Sequence, residues 1–311
     1  MVLSVSGLSK TYGKLQAINK IDINIEKGQV YGLLGPNGSG KTTTLSIILG
    51  VIQASSGSYT WFNRKPSIED RRKIGALLEK PNFCPWLSAE RNLLITASIK
   101  KIADPHKKIF DALAKVDLQN SIKQKFGTFS LGMKQRLAIA SVILGDPEVL
   151  IFDEPTNGVD VNGIIEIRNI ILNIAKEGKT IILASHYLDE VEKICSHMTM
   201  LRKGEVIESG AIKDLLSGEE TVEIASENLD DLSDVLKDCP LHTSHKKNND
   251  IFEVKLAKDT SISQFNEYLR EKKITLTRLS TRKETLEAHF LSLLGKGDEQ
   301  TNSSSNQQGE V

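Results

Sequence analysis

The octapeptide Gly35-Pro36-Asn37-Gly38-Ser39-Gly40-Lys41-Thr42 follows the apolar run VYGLL (residues 30–34) and precedes TTTLSIILG, an apolar stretch of helical character. Strand, glycine-rich loop and helix in that order leave a chain few choices. The glycines let the loop wrap until backbone N–H groups converge on phosphate oxygens, and the helix N-terminus adds its dipole. Pro36, Asn37, Ser39 and Thr43 complete the expected cradle. In a G-x-x-x-x-G-K-[ST] loop the lysine, here Lys41, reaches the β- and γ-phosphates, and the hydroxyl, here of Thr42, binds Mg²⁺. ATP and Mg²⁺ are the expected cofactors.

Two further short apolar runs, EVLIF (148–152) and TIILAS (180–185), have the composition of strands buried on both faces. The first leads into Asp153-Glu154. A P-loop ATPase needs a carboxylate at the end of a neighbouring strand to hold Mg²⁺, which Asp153 supplies, and a base to polarise the attacking water, which Glu154 supplies. FSLGMKQR (129–136) opens another helix: Ser130 is a good N-cap, and the small Gly132 lets an anion approach the amides. On its own this is an ordinary capped helix.

The chain has 311 residues, 39% of them hydrophobic, enough for one large domain and a smaller one. Forty Lys and Arg balance forty Asp and Glu, which argues against a broad nucleic-acid footprint. Cys84, Cys195 and Cys239 have no CxxC spacing; they suit a reducing compartment and packing roles. MVLSVSGLSK does not have the form of a signal peptide, and no run approaches the ~18 apolar residues of a membrane helix. Strands and helices alternate to about residue 215, an α/β pattern, interrupted between Pro85 and Gly145 by helical periodicity alone. The expected divisions are an ATPase domain over 1–217 with a helical subdomain at about 82–146, an α+β accessory domain over 218–295, and a disordered tail over 296–311. In the accessory domain TVEIA, DIFEVKLA and ITLTRL are expected strands, and DDLSDVLKD, SISQFNEYLREKK and ETLEAHFLSLLG expected helices.

GPNGSGKTT, FSLGMKQR, LIFDEPTNGVD and ASH, in this order, resemble the nucleotide-binding subunits of ABC transporters. The resemblance spans residues 1 to about 215. It implies a mixed-sheet P-loop fold with an inserted helical subdomain, and two ATPase subunits paired head to tail as a homodimer or pseudo-dimer. Each ATP is then held by the P-loop of one subunit and the signature of the other. By position, Tyr12 matches the aromatic that stacks on adenine, and Ser130 and Gly132 the signature's phosphate contacts. Gly158 and Asp160 lie in the loop that crosses to the other subunit, although Val159 replaces the family's usual Leu. His186 matches the switch histidine at the γ-phosphate. The partner implied is a separate integral-membrane permease, with this chain on the cytoplasmic face of the membrane and no nucleic acid involved.

Glu79, at the end of the GALLEKPNF segment, stands where most of the family has Gln. With its neighbours it is similar to the branch that exports bacitracin-type and lantibiotic peptides. It is expected to be a Mg²⁺-side or a coupling residue; a solvent-facing strand end is the alternative. Phe83, Trp86 and Leu87 follow, where the family receives a helix of the permease, and at least one is expected to meet that partner. The competing function is a soluble ABC-type ATPase acting on ribosomes or DNA. A nucleotide-gated module with little turnover is a third, set against Lys41, Asp153, Glu154 and His186.

Overall fold

The computed structural model describes residues 1–78, 82–216, 221–257, 260–282 and 285–291. The chain divides into two compact units, Met1–Ile212 and Lys213–Val311. The division falls slightly before the expected domain boundary, which itself lies outside the described residues.

The first unit holds two sheets. Strands β1 (Leu3–Tyr12), β2 (Leu15–Ile25) and β4 (Ser56–Trp61) form an antiparallel sheet in the order β2-β1-β4. Strands β3 (Val30–Leu34), β5 (Ile74–Leu77), β6 (Val149–Asp153), β7 (Thr180–Ser185), β8 (His197–Arg202) and β9 (Glu205–Ala211) form the second, ordered β5-β6-β7-β3-β8-β9. All its pairs are parallel except β8–β9. Every residue of β3, β6 and β7 is buried, as unbroken apolar runs require when both faces are covered.

Helix α1 (Lys41–Ile48) lies in the core between these sheets. Its Leu45, Ile47 and Ile48 share one hydrophobic cluster with Leu3, Val5 and Trp61 of the antiparallel sheet and with Leu33, Ile151 and Ile182 of the parallel one. Trp61 Nε1 donates to Ile48 O at 2.8 Å, so the polar edge of a fully buried ring is satisfied. The helix that follows the glycine loop is thereby fixed by burial on more than one side. After the short α2 (Ile68–Arg72), whose Ser67 and Asp70 form a capping box, comes the helical segment. It consists of α3 (Ala89–Ile99), α4 (Pro105–Lys115) and α5 (Leu131–Ile143). Asn92, 2% exposed, binds this segment to the loop before it: its side chain accepts from Cys84 N and donates to Cys84 O, Leu87 O and Ser88 O. Helix α6 (Val161–Lys176) and α7 (Leu188–Ile194) flank β7, and the short α8 (Ile212–Leu215) begins at the last residue of this unit and runs into the next.

The second unit runs β10 (Thr221–Ser226), α9 (Leu229–Lys237), β11 (His242–Asn248), β12 (Ile251–Leu256), α10 (Ile262–Glu271) and β13 (Leu276–Arg282). Its antiparallel sheet is ordered β11-β12-β10-β13, a split β-α-β arrangement. Val222, Ile224, Phe252 and Val254 of the sheet pack on Leu232 and Leu236 of α9 and Phe265 and Leu269 of α10. Strand β11, sequence HTSHKKN, is an element the sequence reading lacked. It is largely exposed and, among the described residues, an edge strand paired with β12, so no apolar alternation marks it. Residues 286–291 are helical, within the expected last helix; the rest of that segment and the expected tail lie outside the described residues.

Candidate nucleotide site

At the C-terminal end of β3 the chain turns through Gly35 (φ 149°), Gly38 (φ 79°) and Gly40 (φ 108°). A Cβ on Gly35 would strike Leu201 O and approach Ser39 Oγ at 2.5 Å; one on Gly40 would meet Ala17 O at 2.8 Å. Only glycine fits a backbone drawn this tightly against its neighbours. The loop delivers Lys41 into the interior, 5% exposed. Its Nζ donates to Gly35 O at 2.7 Å and Pro36 O at 3.3 Å. The next residue, Thr42, donates from Oγ1 to Asp153 Oδ2 at 2.7 Å. Strand order makes that contact possible: β6 and β3 flank β7 in one parallel sheet, so all three strands end on the same side.

Glu154 leaves the end of β6 in the left-handed region, φ 49°, an uncommon conformation for a side-chain-bearing residue. Its N–H donates to Ala184 O at 3.0 Å, which holds the turn against β7. The carboxylate bridges two partners: Oε1 is 3.3 Å from Lys41 Nζ, and Oε2 is 2.7 Å from His186 Nδ1. Lysine, glutamate and histidine from three strand ends thus meet at one point, with side-chain exposures of 5%, 17% and 27%. A carboxylate held between two potential proton or charge partners is suited to accept a proton from water beside a phosphate.

A cleft of about 470 Å³ opens above the loop, lined by Tyr12, Leu15, Gln16, Ala17, Asn37 to Thr43, Glu154 and Lys203. Tyr12 stands at its rim, 48% exposed, with Lys10 Nζ 5.0 Å from its ring centre. Leu15, Gln16, Ala17 and Lys203 were not foreseen. The first three follow the rim tyrosine within a few residues, a signal that was available. Lys203 comes from a distant hairpin and had none.

Ser130, Gly132 and Asp160 do not line this cleft within the chain. Ser130 Oγ caps α5, accepting from Met133 N at 3.2 Å, and Asp160 Oδ1 caps α6, accepting from Gly163 N at 3.0 Å. A Cβ on Gly132 would touch, among the described residues, Val159 Cγ1 at 3.6 Å. Leu131 and Gln135 of α5, with Asn157 and Gly158, line a second cavity on the Thr42–Asp153–Glu154 side, which Asn82 also borders. Glu79 lies outside the described residues. Phe83 turns inward, edge-on to Phe126 with ring centres 5.2 Å apart, whereas Trp86 is 70% exposed.

A glycine loop between a parallel strand and a doubly covered helix, with an inserted helical segment and a signature helix, defines an ATPase of the ATP-binding-cassette type. The ABC transporter family model matches residues 18–157. The bacitracin transport ATP-binding protein of Bacillus licheniformis is 36% identical over 312 residues, covering 95% of this chain and 98% of that one. A lantibiotic transport ATP-binding protein of Streptococcus pyogenes is 41% identical over 206 residues, covering 66% and 89%. Among solved structures, a dimeric ATP-binding cassette in a post-hydrolysis state, bound to ADP and phosphate, superposes with a TM-score of 0.61. It is 25% identical, over 68% of this chain and 98% of that one. The chain belongs to the ATP-binding proteins of ABC transporters. It is a nucleotide-binding, ATP-hydrolysing transporter subunit, and no helix among the described residues is long and apolar enough to cross a membrane.

Proposed function

We propose that this subunit drives export of a peptide antibiotic or similar drug through a separate membrane permease, docked on the cytoplasmic face. The full-length similarity to a bacitracin transport ATP-binding protein supports this substrate class. The observation that carries the catalytic reading is the Glu154 carboxylate held between Lys41 and His186. ATP enters with adenine on Tyr12 and its β- and γ-phosphates on Lys41 and the loop amides. Glu154 accepts a proton from the attacking water, and His186 orients that carboxylate and contacts the γ-phosphate.

Mg²⁺ fits the residues present. Thr42 Oγ1 and Asp153 Oδ2 bring a hydroxyl and a carboxylate oxygen together at the loop, the hard donors this ion takes alongside substrate phosphates. Bound there, it would neutralise charge on the phosphate oxygens. Ser130 and Gly132 complete the site of a second ATPase subunit across a head-to-tail dimer, and Gly158 and Asp160 lie in the crossing loop. Of Phe83 and Trp86, Trp86 is the exposed aromatic, offered to the permease.

The test is a pull-down of tagged protein from native membranes in mild detergent, followed by ATPase assays on what co-purifies. A stoichiometric multi-span protein whose ATP turnover rises with added peptide antibiotic supports the reading. A chain recovered with ribosomes, or with no membrane protein, removes the transport partner. Turnover indifferent to such peptides removes the substrate class.

A further inference from the structure

The hairpin between β8 and β9 turns on Lys203 and Gly204, with φ 52° and 81°. Two consecutive positive φ values close a tight turn that asparagine-glycine makes most readily, and a lysine at the first position carries a conformational cost. This turn is not loose. Gly204 N donates to Ser39 O at 3.1 Å, and Asn19 N donates to Gly204 O at 2.8 Å. A Cβ on Gly204 would meet Ala17 O at 2.7 Å, so the hairpin lies directly against β2 as well as the P-loop. Asn19 Nδ2 also donates to Glu205 Oε1 at 2.7 Å, occupying the acid two residues after the lysine.

The backbone of Lys203 is therefore fixed relative to both the loop that holds phosphates and the strand that follows the Tyr12 rim. Lys203 lines the same cleft. Glu154, the acid among the described lining residues, is engaged by Lys41 and His186. Lys41 belongs to the far end, where its ammonium is buried beside Gly35 O. Gly204, the next residue after Lys203, lies against Ser39, Gly40 and Ala17 of the same lining. A nucleotide lying from Tyr12 to Lys41 occupies the cleft that this second cation also lines.

We infer that Lys203 is a nucleotide-binding residue that contacts the phosphate chain upstream of the γ-phosphate. The inference rests on ATP occupying the P-loop cleft. Its position separates it from Lys41: a contact shared by ATP and ADP strengthens both equally, whereas a γ-phosphate contact favours ATP.

The experiment is equilibrium binding of fluorescent ATP, ADP and GTP analogues to the full chain, wild type and variants. Wild-type binding that is lost in Lys41→Ala establishes the cleft independently of Lys203. Lys203→Met is expected to weaken ATP, ADP and GTP alike, about five- to tenfold, with a shallower salt dependence. Lys203→Arg should recover most of that loss, and Lys14→Met, an exposed lysine outside the lining, should cause none. Unchanged melting of nucleotide-free Lys203→Met checks the fold. Affinities within twofold of wild type overturn the assignment. A loss confined to ATP places the contact on the γ-phosphate, and a change in the ATP-to-GTP ratio places it on the base; either overturns the contact proposed.

Discussion

Glu154→Gln separates the two roles proposed for one carboxylate, holding Lys41 and accepting a proton from water. In the structure Lys41 Nζ lies 3.3 Å from Glu154 Oε1, with both side chains mostly buried. At an effective dielectric of about 20, two unit charges at that distance attract by ~5 kcal/mol. Desolvation of both groups offsets most of this, leaving a net contribution of about 1–2 kcal/mol. In the proposed binding mode ATP draws Lys41 away from this partner toward its β- and γ-phosphates. Glutamine is nearly the same shape and keeps a polar group toward His186, but it has no charge to hold Lys41. The variant should therefore bind ATP about five- to thirtyfold more tightly, the equivalent of that 1–2 kcal/mol. Reduced repulsion between residue 154 and the triphosphate acts in the same direction.

Turnover should move the opposite way. An amide cannot take a proton from water, and loss of a general base costs about 10²–10⁴ in rate, or ~3–5 kcal/mol in barrier. The assay is nucleotide binding without Mg²⁺ to obtain affinity, then steady-state phosphate release with Mg²⁺ to obtain kcat. Tighter binding with slow turnover is the expected pair. Turnover within tenfold of wild type refutes Glu154 as the base, and unchanged or weaker binding refutes its competition with phosphate for Lys41.

Three other outcomes follow from named contacts. A Cβ on Gly32 would lie 2.5 Å from Val191 Cγ1 and 3.3 Å from Cys195 Sγ; Gly32→Ala should push α7 from β3, cost about 1–3 kcal/mol in urea unfolding, and slow turnover because α7 follows His186. Burial raises the Glu190 carboxyl above its ordinary range, with Arg168 only partly opposing it. The folded state then holds that proton to higher pH than the unfolded chain, so wild-type stability relative to Glu190→Gln should fall as pH rises from the ordinary carboxylate range through the raised value, as read by urea titrations at successive pH. Glu79→Ala should lower antibiotic-dependent ATPase of the permease complex while nucleotide affinity without Mg²⁺ holds; unchanged turnover would assign Glu79 to a solvent-facing strand end.

The parts of the molecule legible along the chain are those whose physics is local. VYGLL, the VLIF of EVLIF and TIILAS are buried on both faces and need no partner to announce it; Glu148 is exposed, and the observed β6 is shifted by one residue, to Val149–Asp153. The glycine loop is readable because positive φ and close backbone approach leave no other residue type. Ser130 marked the start of α5 because an N-cap satisfies an amide three residues away. Strand β11 escaped notice because an exposed edge strand is polar on both faces and is defined only by pairing with β12.

Within the site, Lys41, Glu154 and His186 carry no local sign of one another. They meet because β7 lies between β3 and β6 in a parallel sheet, so three strands release their chains on one side. Lys203 is further still from any motif, and it reaches the cleft only because Gly204 docks on Ser39 and Ala17. Sequence alone determined that this chain binds nucleotide phosphate, because that chemistry is written in one short loop. Tertiary structure decided which charges line that cleft, because their distances depend on strand order and hairpin packing, which short-range preferences do not encode.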